Sequence, residues 1–289
     1  MVDSSPDEIK FIYDDYEHLD SRLLYTVTRI ISSDTIESGV DIFEKGCTCV
    51  ERSCTSESSC TCLKYGVNYR LTEDNEIVLD ESKFGNVPVF ECNFRCSCFG
   101  GLEELDTPIS DRIEPNRTRG ICSNRNVQFG PVKCLELFDA GSKGLGLKSK
   151  RKISRGSFIC EYAGEVIGLE EAIRRQNHRT EMNYVFVLKE YAGQSLSSVT
   201  CVDPSLIGNI GRYINHSCQP NAAVVPVRVN DSIPWLCVFA IRDIEANEEI
   251  CYDYSGNENA MNENIERNRK PCLCREPNCR KFLPFQADI

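Results

Sequence analysis

The octet INHSCQPN, Ile214–Asn221, gathers an imidazole, amides, a hydroxyl and a thiol into eight residues. Asn, Ser and Pro favour turns, so a surface turn is the plain reading, and any chemistry depends on what His216 and Cys218 hold. Thiols elsewhere bear on Cys218. The stretch CTCVERSCTSESSCTC carries Cys47, Cys49, Cys54, Cys60 and Cys62, and CNFRCSC adds Cys92, Cys96 and Cys98, with Cys122 further on. Thr, Ser, Glu and Arg flank them rather than core-forming residues, which points to metal rather than to packing. Zinc takes four ligands in a tetrahedron with Zn–S near 2.3 Å. Nine thiolates fill the positions of three zincs if three bridge two metals and six bind one. The terminal CLCREPNC offers Cys272, Cys274 and Cys279, one thiolate short of a closed site. Cys218, in a polar octet, is the natural fourth ligand, and its use would fold the tail back over the NHSC segment.

The chain has 289 residues, 41% hydrophobic, enough for one large domain or two smaller ones. It has no apolar run of membrane-spanning length, and MVDSSPDEIKF lacks the basic-then-apolar order of a secretory signal. These features place it inside the cell, where clustered thiols bind metal rather than pair. A secreted disulfide scaffold would suit the sequon NRT at 116–118 but lacks that signal. A net charge of −11 argues against duplex-DNA binding and suits a Lys/Arg-rich peptide. The lone basic run KSKRK, 148–152, reads as a solvated turn.

The elements that must position these residues follow from texture. Residues 1–45 form an N-terminal extension in which FIYDDYEHLDSRLLYTVTRII is expected to pack a short strand or helix on the main body. Residues 46–130 have too little apolar material for a core of their own, so metal must hold them. From 131 to 255 the runs VKCLELF, SFICEYAGEVIG, NYVFVLK, NAAVVPVRV, WLCVFAI and EEICYDY read as strands, with Cys134, Cys160, Cys201, Cys237 and Cys251 as small core residues. The helix expected there is LEEAIRRQN, 169–177, with Leu169, Ala172 and Ile173 on its buried face. A polar linker, 256–270, is expected to be mobile or to order only on binding, and 271–287 is the small cysteine module. The fold class is mainly β, an α+β arrangement with few helices.

The motifs KGLGL, EYAGEVIG, GNIGRYINHSCQPN and EEICYDYSG, in this order, resemble the SET-domain protein-lysine methyltransferases. The nine-cysteine segment is similar to their pre-SET module and CLCREPNC to their post-SET module; the likeness runs over about residues 46–287. It implies a SET-domain fold of several small sheets with a threaded C-terminal segment, flanked by the two zinc-cysteine modules. PVFECNFRCSC, VDPSLIGNIGRYINHSCQPN, YDYSG and KPCLC look closest to the SET portion of SETMAR-type enzymes, without the transposase half. The sequence departs from the family between Cys98 and Cys122, where 99–121 reads as a polar surface-loop insertion.

The resemblance implies S-adenosylmethionine as methyl donor, zinc as structural metal (three ions in the pre-SET, one in the post-SET), and a lysine of the histone H3 tail on the nucleosome as acceptor. The lysine-9 class is favoured, with mono- and dimethyl products, in chromatin regulation in the nucleus and on the chromosome, without sequence-specific DNA or membrane binding. Lys143, Gly144, Leu145, Tyr184, Arg212, Asn215 and His216 map onto the donor site, although Leu145 stands where the family often has an aromatic. Tyr254 maps onto the catalytic tyrosine, Tyr162 onto a second hydroxyl lining the lysine channel, and Tyr252 onto the position that tunes methylation degree. Two rival readings are a catalytically silent histone-tail-binding module and a zinc-dependent chromatin adaptor.

Overall fold

The computed structural model describes residues 19–37, 39–49, 54–55, 59–74, 76–85, 87–99, 122–178, 184–255 and 270–284. The 99–121 insertion beyond Phe99 and most of the 256–270 linker lie outside these residues. The described chain is built of small sheets, with helices at Ser33–Glu37 and Leu169–His178.

The expected strand runs form strands. VKCLELF supplies Leu135–Asp139, and SFICEYAGEVIG supplies Phe158–Glu161 and Gly164–Ile167. Phe186–Ala192, Ala222–Arg228, Trp235–Ala240 and Glu249–Tyr252 arise from the other runs. Two further strands have weaker signatures. Leu145–Ser149 takes in the first two residues of KSKRK, so the solvated turn expected there begins only after a strand whose last residue, Ser149, is fully buried. Ser195–Gly208 is polar and contains Pro204, which cannot donate to a ladder. Its pairing with Gly164–Ile167 skips between Asp203 and Gly208, so the proline falls in the irregularity.

One sheet has Ser195–Gly208 at its centre, antiparallel to Phe186–Ala192 and to Gly164–Ile167. A second orders Asn215–His216, Glu249–Tyr252, Leu145–Ser149 and Leu135–Asp139 side by side. A third orders Val89–Phe90, Ala222–Arg228, Trp235–Ala240 and Phe158–Glu161. The main core lies between them and includes Leu147, Ile159, Ile250 and the first residue of the octet, Ile214, each at most 1% exposed. Burying each such side chain contributes about 1.5–3 kcal/mol. The helix Leu169–His178 buries Ala172 and half-buries Ile173, but Leu169 is exposed, so the expected apolar face is narrower than its spacing suggested. Arg175 holds it instead, with ion pairs to Glu165 at 2.7 Å, Glu171 at 2.6 Å and Asp203 at 2.9 Å.

The N-terminal segment packs on the main body as strand. Leu24–Tyr25 lies parallel to Ile207–Gly208, and Ile30–Ile31 parallel to Glu165–Val166. Between them, Thr28 Oγ1 donates to Glu161 Oε2 at 2.7 Å and the Arg29 amide to Oε1 at 3.3 Å. The Arg29 guanidinium pairs with Asp231 at 2.6 Å and lies over Trp235.

Burial pushes the Glu161 carboxyl up to about 7, against the opposing pull of Arg29 and Thr28. A carboxyl raised in the folded state holds a proton that the unfolded chain has released, so its stabilising share is greatest below the unfolded value near 4.5 and is lost as pH rises to about 7. Glu161→Gln keeps an acceptor for Thr28 and cannot ionise. Urea unfolding should show the unaltered protein losing about 1 kcal/mol more than this variant between pH 6 and pH 8.

Candidate active and metal sites

The octet is placed by the turn before it. Asn209 Oδ1 accepts from the Gly211 amide at 2.9 Å and starts a single 3-10 turn, Ile210–Tyr213. A Cβ on Gly211 would stand 2.6 Å from the Glu161 carbonyl oxygen, so only glycine lets this turn approach so closely. The turn delivers Arg212 into the interior, 8% exposed, with its guanidinium carbon 4.4 Å from the Tyr184 ring centroid. Arg212 Nη1 donates to the Tyr213 hydroxyl at 3.1 Å, while its Nε is buried without a hydrogen-bond partner among the described residues.

After the turn, Asn215 and His216 pair in parallel with Cys251 and Tyr252. This pairing threads the C-terminal strand beside the octet. The buried His216 ring accepts from the Tyr254 amide through Nδ1 at 3.2 Å, and its Nε2 stands 3.3 Å from Cys218 Sγ. With Nδ1 accepting, the neutral ring carries its proton on Nε2, directed at the sulfur. Burial, opposed by Asp253, lowers the imidazole to about 4, so the ring is neutral at physiological pH.

Three tyrosines meet at the end of this strand: Tyr252 on it, Tyr254 just past it, and Tyr162 just past Phe158–Glu161. Tyr254 Oη donates to the Ile214 carbonyl at 2.8 Å, and Tyr162 Oη to the Tyr184 carbonyl at 2.6 Å. The Tyr252 ring centroid lies 4.8 Å from that of Tyr254 and 6.4 Å, edge-on, from that of Tyr162. Burial holds all three phenols above their ordinary range, so they are neutral donors and not phenolate bases. Phe186 completes the wall, 5.6 Å from Tyr162 and 6.0 Å from Tyr252.

Glu249 joins the remaining residues singled out for the donor site. It forms an ion pair with Lys143 and accepts from Asn215 Nδ2 at 2.9 Å, while Asn215 also donates to the Leu145 carbonyl at 3.2 Å. Gly144 has φ +81 and ψ −141, backbone that only glycine adopts without strain. The Leu145 side chain is exposed. Lys143, Leu145 and Asn215 therefore gather around one carboxylate, Tyr184 and Arg212 around Tyr162 and Tyr213, and His216 around Tyr254. Glu249, Phe186 and Asn221, whose Oδ1 accepts from the Cys251 amide at 2.8 Å, were not singled out from sequence. The only hint of Glu249 is its place in EEICYDY.

All 18 cysteines are free, and those named as ligands cluster. The sulfurs of Cys47, Cys54, Cys92 and Cys98 form one group within 4.8 Å, as do those of Cys47, Cys49, Cys54 and Cys60, and those of Cys47, Cys60, Cys62 and Cys92. Cys96 and Cys122 stand beside them, 3.6 Å from Cys62 and 3.7 Å from Cys92. A Zn–S length near 2.3 Å gives a tetrahedral edge of about 3.8 Å. Such distances fit a shared cation and exclude an S–S bond, and the groups share sulfurs, as bridging requires. Cys218, Cys272, Cys274 and Cys279 make a separate four-sulfur group, with Cys218 and Cys272 3.8 Å apart. The tail is also fastened by Asn278 Nδ2 donating to the Cys218 carbonyl at 3.1 Å and by Arg280 pairing with Asp253 at 2.6 Å. Neither was foreseen.

A fold of small sheets threaded by its last strand, beside two thiol clusters, defines a SET-domain protein. Family profiles agree: the SET domain matches residues 144–255 and the Pre-SET motif residues 4–100, starting well ahead of the first cysteine. The chain is 39% identical over 256 residues to the probable histone-lysine N-methyltransferase set-23 of Caenorhabditis elegans, covering 86% of this chain and 90% of that one. It is 37% identical over 276 residues to human histone-lysine N-methyltransferase SETMAR, covering 92% of this chain, and spans 37% of that protein's length. The crystal structure of the human SETMAR methyltransferase domain superposes with a TM-score of 0.70 at 34% identity, covering 91% of this chain and 89% of that one. KRYPTONITE, solved in complex with mCHH DNA, an H3(1–15) peptide and SAH, superposes with a TM-score of 0.67 at 27% identity, over 91% of this chain and 48% of that one. The chain belongs to the SET-domain histone-lysine N-methyltransferase family, in the group of SETMAR and set-23.

Serine for Cys218 leaves three sulfurs at the terminal group. Elemental analysis of purified Cys218→Ser should find one zinc fewer per chain than in the unaltered protein, with proteolysis faster at residues 270–284.

Proposed function

We propose that this chain transfers a methyl group from S-adenosylmethionine to a lysine of the histone H3 tail, of the lysine-9 class, mainly as mono- and dimethylation, on chromatin in the nucleus. The observation that carries this reading is the convergence of Tyr162, Tyr252 and Tyr254 on one buried wall, joined through Tyr184 to an Arg212 whose Nε lacks a partner. The kinship with histone-lysine methyltransferases and with a SET enzyme solved with SAH and an H3 peptide supports it, as does the acidic charge balance, which suits a basic tail.

The donor, when bound, supplies an electrophilic methyl on a sulfonium. The residues present fit it. Arg212 Nε is a buried donor for a carboxylate, and Asn215 and Lys143, both held by Glu249, offer further polar groups. Tyr254 and Tyr162 already donate hydrogen bonds to carbonyls, so each oxygen keeps lone pairs for weak C–H···O contacts with an activated methyl. An incoming lysine ammonium, ordinarily near 10.4, is driven toward its neutral form when desolvated among aromatic rings, and with the phenols neutral its proton leaves to water before the channel closes. Positioning provides the rest of the acceleration. We assign zinc to the cysteine clusters, three ions to the nine-cysteine group and one to the terminal four.

The silent-module alternative requires loss of donor or tyrosine positions, and only Leu145 departs from the family pattern. A radiolabelled donor offered with a panel of histone H3 peptides, followed by mass mapping, tests the function; no label on any peptide would refute it. Tyr254→Phe should lower turnover by roughly 10²-fold or more with circular dichroism and zinc content unchanged. Tyr252→Phe removes a hydroxyl that can hold a water beside the lysine nitrogen, so its products should shift toward trimethyl-lysine, read by mass spectrometry over time.

A further inference from the structure

The N-terminal segment reaches the donor site itself. Leu24–Tyr25 pairs in parallel with Ile207–Gly208, and the Thr26 amide donates to the Gly208 carbonyl at 3.0 Å, directly ahead of the turn that carries Arg212. This pairing sets Asp20 against that turn. Asp20 Oδ2 stands 3.7 Å from Arg212 Nη1, with the Asp20 side chain 24% exposed and that of Arg212 5%. The other side-chain partner of Asp20 among the described residues is local: its Oδ1 accepts from the Arg22 amide at 3.0 Å and from Arg22 Nε at 3.2 Å, and its Oδ2 accepts from Arg22 Nη2 at 3.4 Å, so Arg22 holds the carboxylate that faces Arg212. Around the buried guanidinium, Tyr184 covers one face, Tyr213 Oη and Asp20 take the Nη1 end, and Nε is left without a partner among the described residues.

We propose that Asp20 is a positioning residue for donor binding: by holding the Nη1 end of Arg212 from outside the SET region, it turns Nε toward the carboxylate of the donor. The N-terminal segment is then part of the donor site and not a spacer before it. The inference rests on the donor-site reading of Arg212. A guanidinium presents its donors in a rigid planar fork, so fixing one end fixes the direction of the others. Without Asp20 the Nη1 end keeps only Tyr213 Oη among the described residues, and the donor must complete the alignment of the fork on binding.

The test is calorimetric titration of the full-length protein with S-adenosylhomocysteine. This ligand lacks the sulfonium charge, so attraction of Asp20 for the sulfonium does not enter the change in affinity. Asp20→Asn should weaken Kd by about two- to fivefold, the range expected for a partly exposed ion pair. Asp20→Glu, which keeps the carboxylate, should recover most of the affinity. In turnover assays the Asn variant should raise KM for S-adenosylmethionine and leave kcat at saturating donor unchanged. Equal affinity in Asp20→Asn and the unaltered protein, or a Glu variant as weak as the Asn variant, overturns the assignment. Failure of the unaltered protein to bind S-adenosylhomocysteine removes the donor-site reading itself, and the role of Asp20 with it.

Discussion

A buried, neutral imidazole ties this structure together. The two nitrogens of His216 are committed in opposite directions, Nδ1 to the Tyr254 amide and Nε2 to the sulfur of Cys218. One contact fixes the tyrosine, and the other couples it to the thiol group that fastens the tail. The parallel pairing of His216 with Tyr252 holds both in register. A buried ring with an unmet nitrogen would lose about 1–3 kcal/mol, so the positions of tail, strand and tyrosine are coupled through it.

Around that ring the molecule uses different means of cohesion. The SET region is held by apolar sheets packed on Leu147, Ile159, Ile214 and Ile250. The cysteine-rich segment buries sulfur where a larger domain would bury leucine: Cys47, Cys54, Cys60, Cys92, Cys96, Cys98 and Cys122 form its interior. Crowded thiols are costly to ionise together without a cation, and burial, with Cys96 and Cys98 adding to it, pushes the Cys47 thiol up. The N-terminal segment is bound by a third means, strand pairing combined with the Glu161–Thr28 and Arg29–Asp231 contacts, and its Asp20 stands 3.7 Å from Arg212.

Much of this was legible in the sequence, for physical reasons. Short β-branched and aromatic runs become strands because half-buried pleats favour them, and cysteines flanked by polar residues cluster because nothing else can hold their segment. Counting thiolates against a tetrahedron left the terminal three one short and the polar octet pointed to Cys218, whose sulfur groups with theirs. Ser195–Gly208 was illegible because its polar residues and Pro204 hide a strand stabilised by neighbours on both sides. Leu145–Ser149 was masked by the basic run overlapping its end. Glu249, Phe186, Asn278 and Asp20 carry no local signature, since each acts on a residue far away in sequence.

The claim that the tail clamp is a thiolate-only metal site coupled through His216 to Tyr254 is tested most directly by crystallography at the zinc absorption edge. The account predicts an anomalous peak equidistant, near 2.3 Å, from the sulfurs of Cys218, Cys272, Cys274 and Cys279, with His216 outside the coordination sphere. A peak ligated by the His216 nitrogen, or none beside Cys218, would contradict it.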